Sequence, residues 1–436
     1  MSTRNFPESS VSDMGIKKDY QKEEKNMEEI KVSVVIPVYN VEEFLNNTLS
    51  DITGQTLKEI EIICVDDGST DNSCKIIEEW MEKDSRIQLI RQKNQYAGVA
   101  SNNGLKQAHG KYVIFWDADD LFDSNALEVM YTQAEQEHSD ICICEARKYD
   151  NAKEKYIPSD SYLKEELLPE KQTFNKFDVP EHIFNLTNNV PWNKLYLRKF
   201  ITKNKLEYQA IKQANDTYFT IMALFLAERI TYVKDVLIAY RVNNDESLSG
   251  KASDTVFCSY DSWLYTKERI EKYPDFKLVR FSFLNRALSG FYYSLNIQTT
   301  FESYEKLYRM LVEKGFKTFG LDTCEEENIY AAWMYKDMQK MYETEPADFL
   351  VQKSITRRVN NENNNVRRKI LREKNAVLRE NVRALKEDKK TLQSDKKKLQ
   401  EEKKKLQKEI DNIKQSKAYR LGNKLLWLPR KVIKRG

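Results

Sequence analysis

Carboxylates crowd two short stretches of this 436-residue chain, and a single one marks a third. The densest is Asp117-Ala118-Asp119-Asp120, directly behind the apolar run Tyr112 to Trp116. Carboxylates this close repel one another unless a cation, hydrogen-bond donors or water offsets their charge. A divalent ion is a natural offset, because Mg²⁺ and Mn²⁺ favour oxygen ligands and share them with phosphates. In extended chain Asp117 and Asp119 face the same side. The same residues could instead cap a helix starting near Leu121, and the stretch alone leaves both readings open. A second acidic turn, Asp66-Asp67-Gly68-Ser69-Thr70-Asp71, ends another apolar run. The third carboxylate, Asp216, stands before the apolar segment Phe219 to Ala227, as a proton acceptor or as the cap of a helix from Thr217.

The elements around these residues alternate. Val32 to Ile36 is a strand stopped by Pro37, and Glu42 to Gln55 has helical spacing. Glu61 to Val65 is a second strand, Asn72 to Lys83 a helix, and Arg86 to Arg91 a third strand. A loop around Asn94 leads into a helix from Val99 to His109, and Tyr112 to Trp116 is the fourth strand. Strands alternating with helices of about ten residues imply right-handed βαβ units and a parallel sheet. In such sheets ligands bind beyond the carboxyl ends of the strands, where the two acidic turns fall. Neither strand is followed by Gly-x-Gly-x-x-Gly, and no Gly-x-x-x-x-Gly-Lys-Ser/Thr exists, which argues against a dinucleotide fold or a phosphate-cradling glycine loop. Further on, Asn125 to Glu137 reads as a helix and Asp140 to Glu145 as a strand, with Asn151 to Phe174 an irregular insertion. Ile230 to Val233 and Leu237 to Tyr240 read as two short strands, and Ser259 to Asp348 is helical in rhythm.

A hydrophobic fraction of 40% supports a real core, and a net charge of only +3 gives no nucleic-acid signal. Six scattered cysteines and three histidines make a zinc site a poor fit and suggest reduced thiols in a cytoplasmic protein. No signal core and no apolar run of about 20 residues appears.

Taken in order, Val32-Ser33-Val34-Val35-Ile36-Pro37-Val38-Tyr39-Asn40, Val65 to Asp71 and Asp117 to Asp120 resemble family 2 glycosyltransferases of the GT-A fold. Trp192-Asn193-Lys194, Asp216, Tyr240-Arg241 and Ser247-Leu248-Ser249 extend the resemblance over about 31–250. It implies a Rossmann-like α/β fold with a mixed, mostly parallel sheet flanked by helices. Pro37, Tyr39 and Asp67 would then line a nucleotide pocket, with Asp67 accepting the imide N–H of uracil. Asn94 and Asn102 would lie near ribose and phosphate, and Asp117 would face the ribose or donor sugar. Asp119 would ligate Mn²⁺ or Mg²⁺, and Asp216 would be the general base. Ser101 stands where the family often has Arg, and Asn215 where it often has Glu, which puts one donor contact and one donor or acceptor contact in doubt.

The expected chemistry is direct displacement. An acceptor hydroxyl attacks the anomeric carbon, expels a nucleoside diphosphate and gives up its proton to a carboxylate on the opposite face. Trp192 could floor the acceptor pocket or simply pack in the core. The donor expected is a UDP-sugar carrying a hexose. The acceptor expected is a cell-surface polysaccharide, a polyol-phosphate polymer of teichoic-acid type or a lipid-linked oligosaccharide. Two rivals remain: a nucleotidyltransferase, which would want a Gly/Arg/Lys-rich loop in place of Pro37-Val38-Tyr39-Asn40, and an inactive scaffold acting through its tail.

The organisation expected is a leader over 1–30, the catalytic domain over 31–250, a helical subdomain over 251–360, a coiled coil over 361–415 and a basic amphipathic tail over 416–436. Leu371, Leu378, Leu385, Leu392, Leu399, Leu406 and Ile413 recur every seven residues, a seam for self-association through 366–413. The second seam position is polar (Lys374, Asn381, Asp388, Asp395, Glu402, Glu409), so the core would be weak and a solvated single helix stands as the alternative. Leu421, Leu425, Leu428 and Val432 with Trp427 and six Arg or Lys residues suit an anionic membrane surface on the cytoplasmic face, or a protein partner.

Overall fold

Four runs become four parallel strands, three of them apolar and buried on both faces between layers of helices, and one, the edge strand, only partly buried. They are β1 (Val32–Val38), β2 (Ile60–Asp66), β3 (Ile87–Arg91) and β4 (Tyr112–Phe115). Helices α1 (Glu42–Thr53), α2 (Ser73–Met81) and α3 (Tyr96–Gln107) link them. The computed structural model describes residues 30–157, 161–242 and 255–427. The expected leader up to residue 29, Ser247-Leu248-Ser249 and the tail from Leu428 onward lie outside the described residues.

The sheet continues with β5 (Leu121–Phe122), β6 (Ile141–Asp150), β7 (Lys155–Ile157), β8 (Lys194–Leu197) and β9 (Ile230–Val242). Among the described residues its order is β3-β2-β1-β4-β8-β6-β9-β5, with β7 on β6. β8 is antiparallel to both β4 and β6, so the sheet is mixed beyond the parallel half. Helices α4 (Ala126–Gln136), α5 (Arg198–Asn204) and α6 (Thr217–Leu226) complete this part.

Three expectations need correction. The first strand runs through Pro37 to Val38. β4 pairs with β1 only as far as Val35, so the missing N–H of Pro37 leaves no ladder bond unmade on that side. The two short strands at 230–240 are one, because β9 pairs in parallel with β6 along its length. The polar break at Lys234-Asp235 marks a register shift opposite Cys144 to Ala146 rather than an end. β8 was not expected as a strand at all.

Behind β9 come α7 (Cys258–Ile270), α8 (Phe276–Asn296), α9 (Phe301–Met310), α10 (Phe316–Phe319) and α11 (Ala332–Glu343). They join the α/β part in one compact unit that ends at Phe349. The contacts are specific. Phe184 N–H donates to Ser282 Oγ (3.0 Å), Asn185 Nδ2 donates to Ser282 O (2.8 Å), and Tyr218 meets Tyr265 edge-on. α7 and α8 pack so closely that a Cβ on Gly290 would lie 2.4 Å from Trp263 Nε1.

A second unit begins at Leu350. Its body is the 70-residue helix α12 (Pro346–Gln415), which starts on a proline, the residue best suited to a first helical position. α13 (Lys417–Trp427) follows. Leu378, Leu385, Leu392, Leu399, Leu406 and Ile413 are all exposed along α12.

Candidate active site

The acidic turn after β4 is held from two sides. Thr48 on α1 donates its hydroxyl to Ala118 O (2.8 Å) and Asp120 O (3.2 Å). Asp51 accepts Phe122 N–H (3.2 Å). From β9, Arg241 donates its Nε–H to Asp119 O (2.6 Å) and its backbone N–H to Asp120 Oδ1 (2.8 Å). Asp120 is fully buried, and its Oδ2 has no hydrogen-bond partner among the described residues. Burial pushes the Asp120 carboxyl well up, helped by the charges of Asp119 and Asp117. Burial likewise pushes Asp117 up to about 7, with Asp119 and Asp216 adding to it.

Among the described residues no three His, Cys, Asp or Glu side chains form a metal cage. The donor set fits a different arrangement. Crowded carboxylates with surplus negative charge, one of them with an orphaned buried oxygen, suit a hard cation that takes one or two protein oxygens and completes its shell with ligand oxygens. Asp119 would be the protein's share.

Asp216 sits at the N-cap position of α6, yet its side chain accepts no capping bond. Its turn is pinned elsewhere. Gln209 N–H donates to Asn215 O (2.9 Å), Ser262 Oγ donates to Ala214 O (2.8 Å), and Ala214 has φ 58°. A non-glycine residue in that left-handed region stores strain, which persists only where the surroundings enforce it. Burial pushes the Asp216 carboxyl up to about 6, against its own backbone N–H and the pull of Lys194 and Arg286.

Lys194 is fully buried and donates to Asn188 O (3.0 Å), Val190 O (2.7 Å) and Asn193 Oδ1 (2.8 Å). Burial, with the Arg286 charge, pushes it down to about 7. Three acceptors around one nitrogen favour the ammonium, which alone has three N–H groups to give. Tyr208 and Tyr196 are buried, the Tyr208 hydroxyl has no hydrogen-bond partner among the described residues, Tyr196 is in reach of the Thr220 hydroxyl, and both tyrosines feel the Asp216 charge.

Asp67 is buried immediately behind β2. Its Oδ1 accepts Gln92 Nε2–H (2.7 Å) and Gln95 N–H (2.8 Å). Its Oδ2 accepts nothing among the described residues. Gly68 (φ 80°) makes the turn, and a Cβ there would press the Asn94 backbone nitrogen at 3.1 Å. Tyr39 is 48% exposed beside the half-buried Pro37.

With that geometry in hand, comparison with known proteins is direct. The profile described as "Glycosyl transferase family 2" matches residues 33–203. Glycosyltransferase GlyG of Streptococcus pneumoniae is 31% identical over 215 residues, 48% of this chain and 70% of GlyG. The chain belongs to glycosyl transferase family 2. The poly(ribitol-phosphate) beta-N-acetylglucosaminyltransferase TarP of Staphylococcus aureus is 30% identical over 223 residues, 50% of this chain and 64% of TarP. Alignments with three other curated glycosyltransferases span 30%, 62% and 61% of their length. A crystal structure of S. aureus TarS in complex with UDP-GlcNAc shares the fold, with a TM-score of 0.55 at 20% identity over 72% of this chain and 91% of that one.

In this family 2 chain, Asp117, Asp119 and Asp216 share one electrostatic neighbourhood, since Asp117 feels both of the others. Pro37, Tyr39 and Asp67 cluster at the ends of β1 and β2, with Asn94 exposed nearby. Asn102 is otherwise engaged: its amide donates to Tyr208 O (2.9 Å) and accepts Tyr208 N–H (2.8 Å). Trp192 is buried in the core, parallel to Tyr240 at 5.8 Å and tilted against Tyr162. Asn215 packs its side chain against Gly98, where a Cβ would stand 2.9 Å from Asn215 Cβ. Ser101 is buried in α3. Sequence reading gave Lys194 no role and missed Tyr208, Arg286 and Tyr293 altogether. Nothing in the sequence sets Arg286 apart from Lys277 and Arg280 on the same helix, and only the fold shows it between buried Asn285 and Ala287.

Proposed function

We propose that the protein is an inverting, metal-dependent glycosyltransferase that moves a hexose from a UDP-sugar to a hydroxyl of a polyol-phosphate or related cell-surface glycan. One observation carries the reading. Asp216 stands at a helix start without capping it, in the same neighbourhood as the Asp117–Asp119 pair. A carboxylate left uncommitted beside a cation-seeking pair suits a base opposite a diphosphate leaving group.

In this mechanism Asp67 Oδ2 accepts the imide N–H of uracil, while Gln92 and Gln95 fix the carboxylate's orientation. Tyr39 lies against the base and Pro37 lines the pocket. Asn94 is a further contact for ribose or phosphate. Asp117 orients the ribose or donor sugar, and Asp119 holds the divalent ion, Mn²⁺ or Mg²⁺. The ion supplies Lewis-acid stabilisation of the departing diphosphate. Asp216 takes the proton of the attacking hydroxyl, and attack from its face inverts the anomeric carbon. The polyol-phosphate acceptor is supported by the likeness to TarP, and the UDP-sugar by the fold shared with the UDP-GlcNAc complex of TarS.

The exposed leucine seam of α12 is a surface for self-association with a second copy over 366–413. Among the described residues no helix is long and apolar enough to cross a membrane. A cytoplasmic enzyme touching the inner membrane surface through 416–436 is the arrangement proposed.

The test is calorimetric titration with UDP, GDP, CDP and ADP, with and without Mn²⁺, on the wild type and Asp119→Ala. UDP binding that needs both Mn²⁺ and Asp119 is expected. Failure of every nucleotide to bind would overturn the reading in favour of a scaffold.

A further inference from the structure

Helix α8 presents three kinds of face, and two are accounted for. Ser282 ties it to the 184–185 segment, Gly290 meets Trp263 of α7, and Phe283 packs on Trp263 and Phe319. Asn285 and Tyr292 bond the backbone at Asn328, Tyr330 and Met334. The remaining stripe holds Arg286 and Tyr293, seven residues and two turns apart.

Both residues of that stripe lie within electrostatic reach of the proposed base. The charges of Arg286 and Asp216 act on each other, and Tyr293 feels the Asp216 charge and acts on Tyr240. Arg286 is half-buried, yet it makes no hydrogen bond or ion pair within reach among the described residues. Its charge is felt by Lys194 as well, so two cations flank one carboxylate. Placing a guanidinium in protein surroundings with its donors unused is costly, and a fold tolerates it where a ligand completes the bonds. Tyr293 is 59% exposed, and no other ring stacks on it among the described residues.

We propose that Arg286 and Tyr293 form the acceptor subsite, with Arg286 gripping a phosphate of the acceptor and Tyr293 packing against its carbon chain. The planar fork of five N–H donors matches a phosphate's oxygens two at a time. The phosphate could belong to the acceptor or to the donor's diphosphate, and the placement favours the acceptor. Arg286 acts on the base side, through Asp216 and Lys194. The turn that carries Asp216 is tied through Ala214 O to Ser262 of α7, the helix on which α8 packs at Gly290. This inference rests on the glycosyltransferase reading above and deepens it by naming the acceptor chemistry: an anionic polyol phosphate rather than a neutral glycan.

The experiment uses the full chain saturated with UDP and Mn²⁺. It is titrated with a ribitol-phosphate hexamer, a glycerol-phosphate hexamer and free ribitol as the uncharged control. Wild type is expected to bind at least one hexamer and not ribitol. Arg286→Gln should weaken hexamer binding tenfold or more and leave UDP affinity within twofold, and Arg286→Lys should restore part of the loss. Tyr293→Ala should weaken the hexamer about fivefold. Weakened UDP binding in Arg286→Gln would assign the guanidinium to the donor diphosphate and overturn the proposal. So would hexamer binding that ignores the substitution, with only the acid limb of the turnover profile displaced, which marks Arg286 as a charge partner of Asp216. Wild type that binds UDP but neither hexamer overturns this inference alone. Wild type that binds no UDP overturns the donor reading and this inference with it.

Discussion

The two ends of the parallel sheet both bury acidic residues, and they treat them in opposite ways. At the amino ends, Glu61 of β2 is buried and its Oε1 accepts Ser33 Oγ–H (2.6 Å), His109 N–H (2.6 Å) and Gly110 N–H (3.1 Å). The His109 ring and Gln88 stand at its Oε2. Gly110 allows the approach, since a Cβ there would sit 2.5 Å from Ser33 N. At the carboxyl ends, Asp120 leaves one oxygen unpartnered among the described residues, Asp216 declines its cap, and Asp117 feels two like charges. A buried carboxylate with full hydrogen bonding holds structure together. One that is left short retains affinity for something that is not yet there.

The largest expected effect breaks the short-changed end. Asp216→Asn keeps the shape and removes the proton acceptor, so turnover should fall by about 10³-fold while UDP binding is retained. Because burial raises this carboxyl to about 6, its charged form is lost as pH falls through that value. Wild-type turnover should therefore drop tenfold per pH unit below about 6 and level off above it. The raised value also means that the folded state binds this proton more tightly than the unfolded chain, so the ionised carboxylate costs stability at neutral pH. Asp216→Asn should then unfold at the same temperature or higher. A Tm several degrees lower would mean that Asp216 is structural, and the contrast between the two ends would collapse.

The opposite end gives the mirror outcome. Glu61→Ala leaves the Ser33 hydroxyl and the His109 N–H without their acceptor in a buried site. A loss of about 3 kcal/mol in denaturant unfolding is expected, with turnover at 25 °C unchanged. Equal damage to activity would show that the two ends are not separable.

The contrast was only half legible in the sequence. Val32 to Ile36, Glu61 to Val65 and Tyr112 to Trp116 announce themselves because a strand buried on both faces needs a continuous apolar run. The acidic turns behind two of them follow from the chain alone. β8 hid because it opens on Lys194, whose burial depends on carbonyls of the preceding loop, and β9 hid behind its bulge at Lys234-Asp235. Asn102 carries the right residue type for a ligand contact, and only the fold shows its amide closed around Tyr208. Arg286 could not be read, because what makes it unusual is the absence of a partner. An absence of that kind exists only once α8 is packed beside Asp216.

The smallest effect probes how the acidic turn is aimed rather than what it binds. Thr48 reaches from α1 to Ala118 O and Asp120 O, so it acts on the backbone of the acidic turn. Thr48→Val keeps the shape and deletes both bonds, at a cost of about 1 kcal/mol in stability. Arg241 still holds Asp119 O and Asp120 Oδ1 from the other side, so the turn should loosen rather than unfold. If aim matters at this end, Mn²⁺-dependent UDP affinity should fall about threefold, on the order of the bond energy lost. The metal-free baseline should not move. An unchanged affinity alongside the stability loss would mean that Arg241 alone sets the geometry, and would place the strain of the acidic end on β9 rather than on α1.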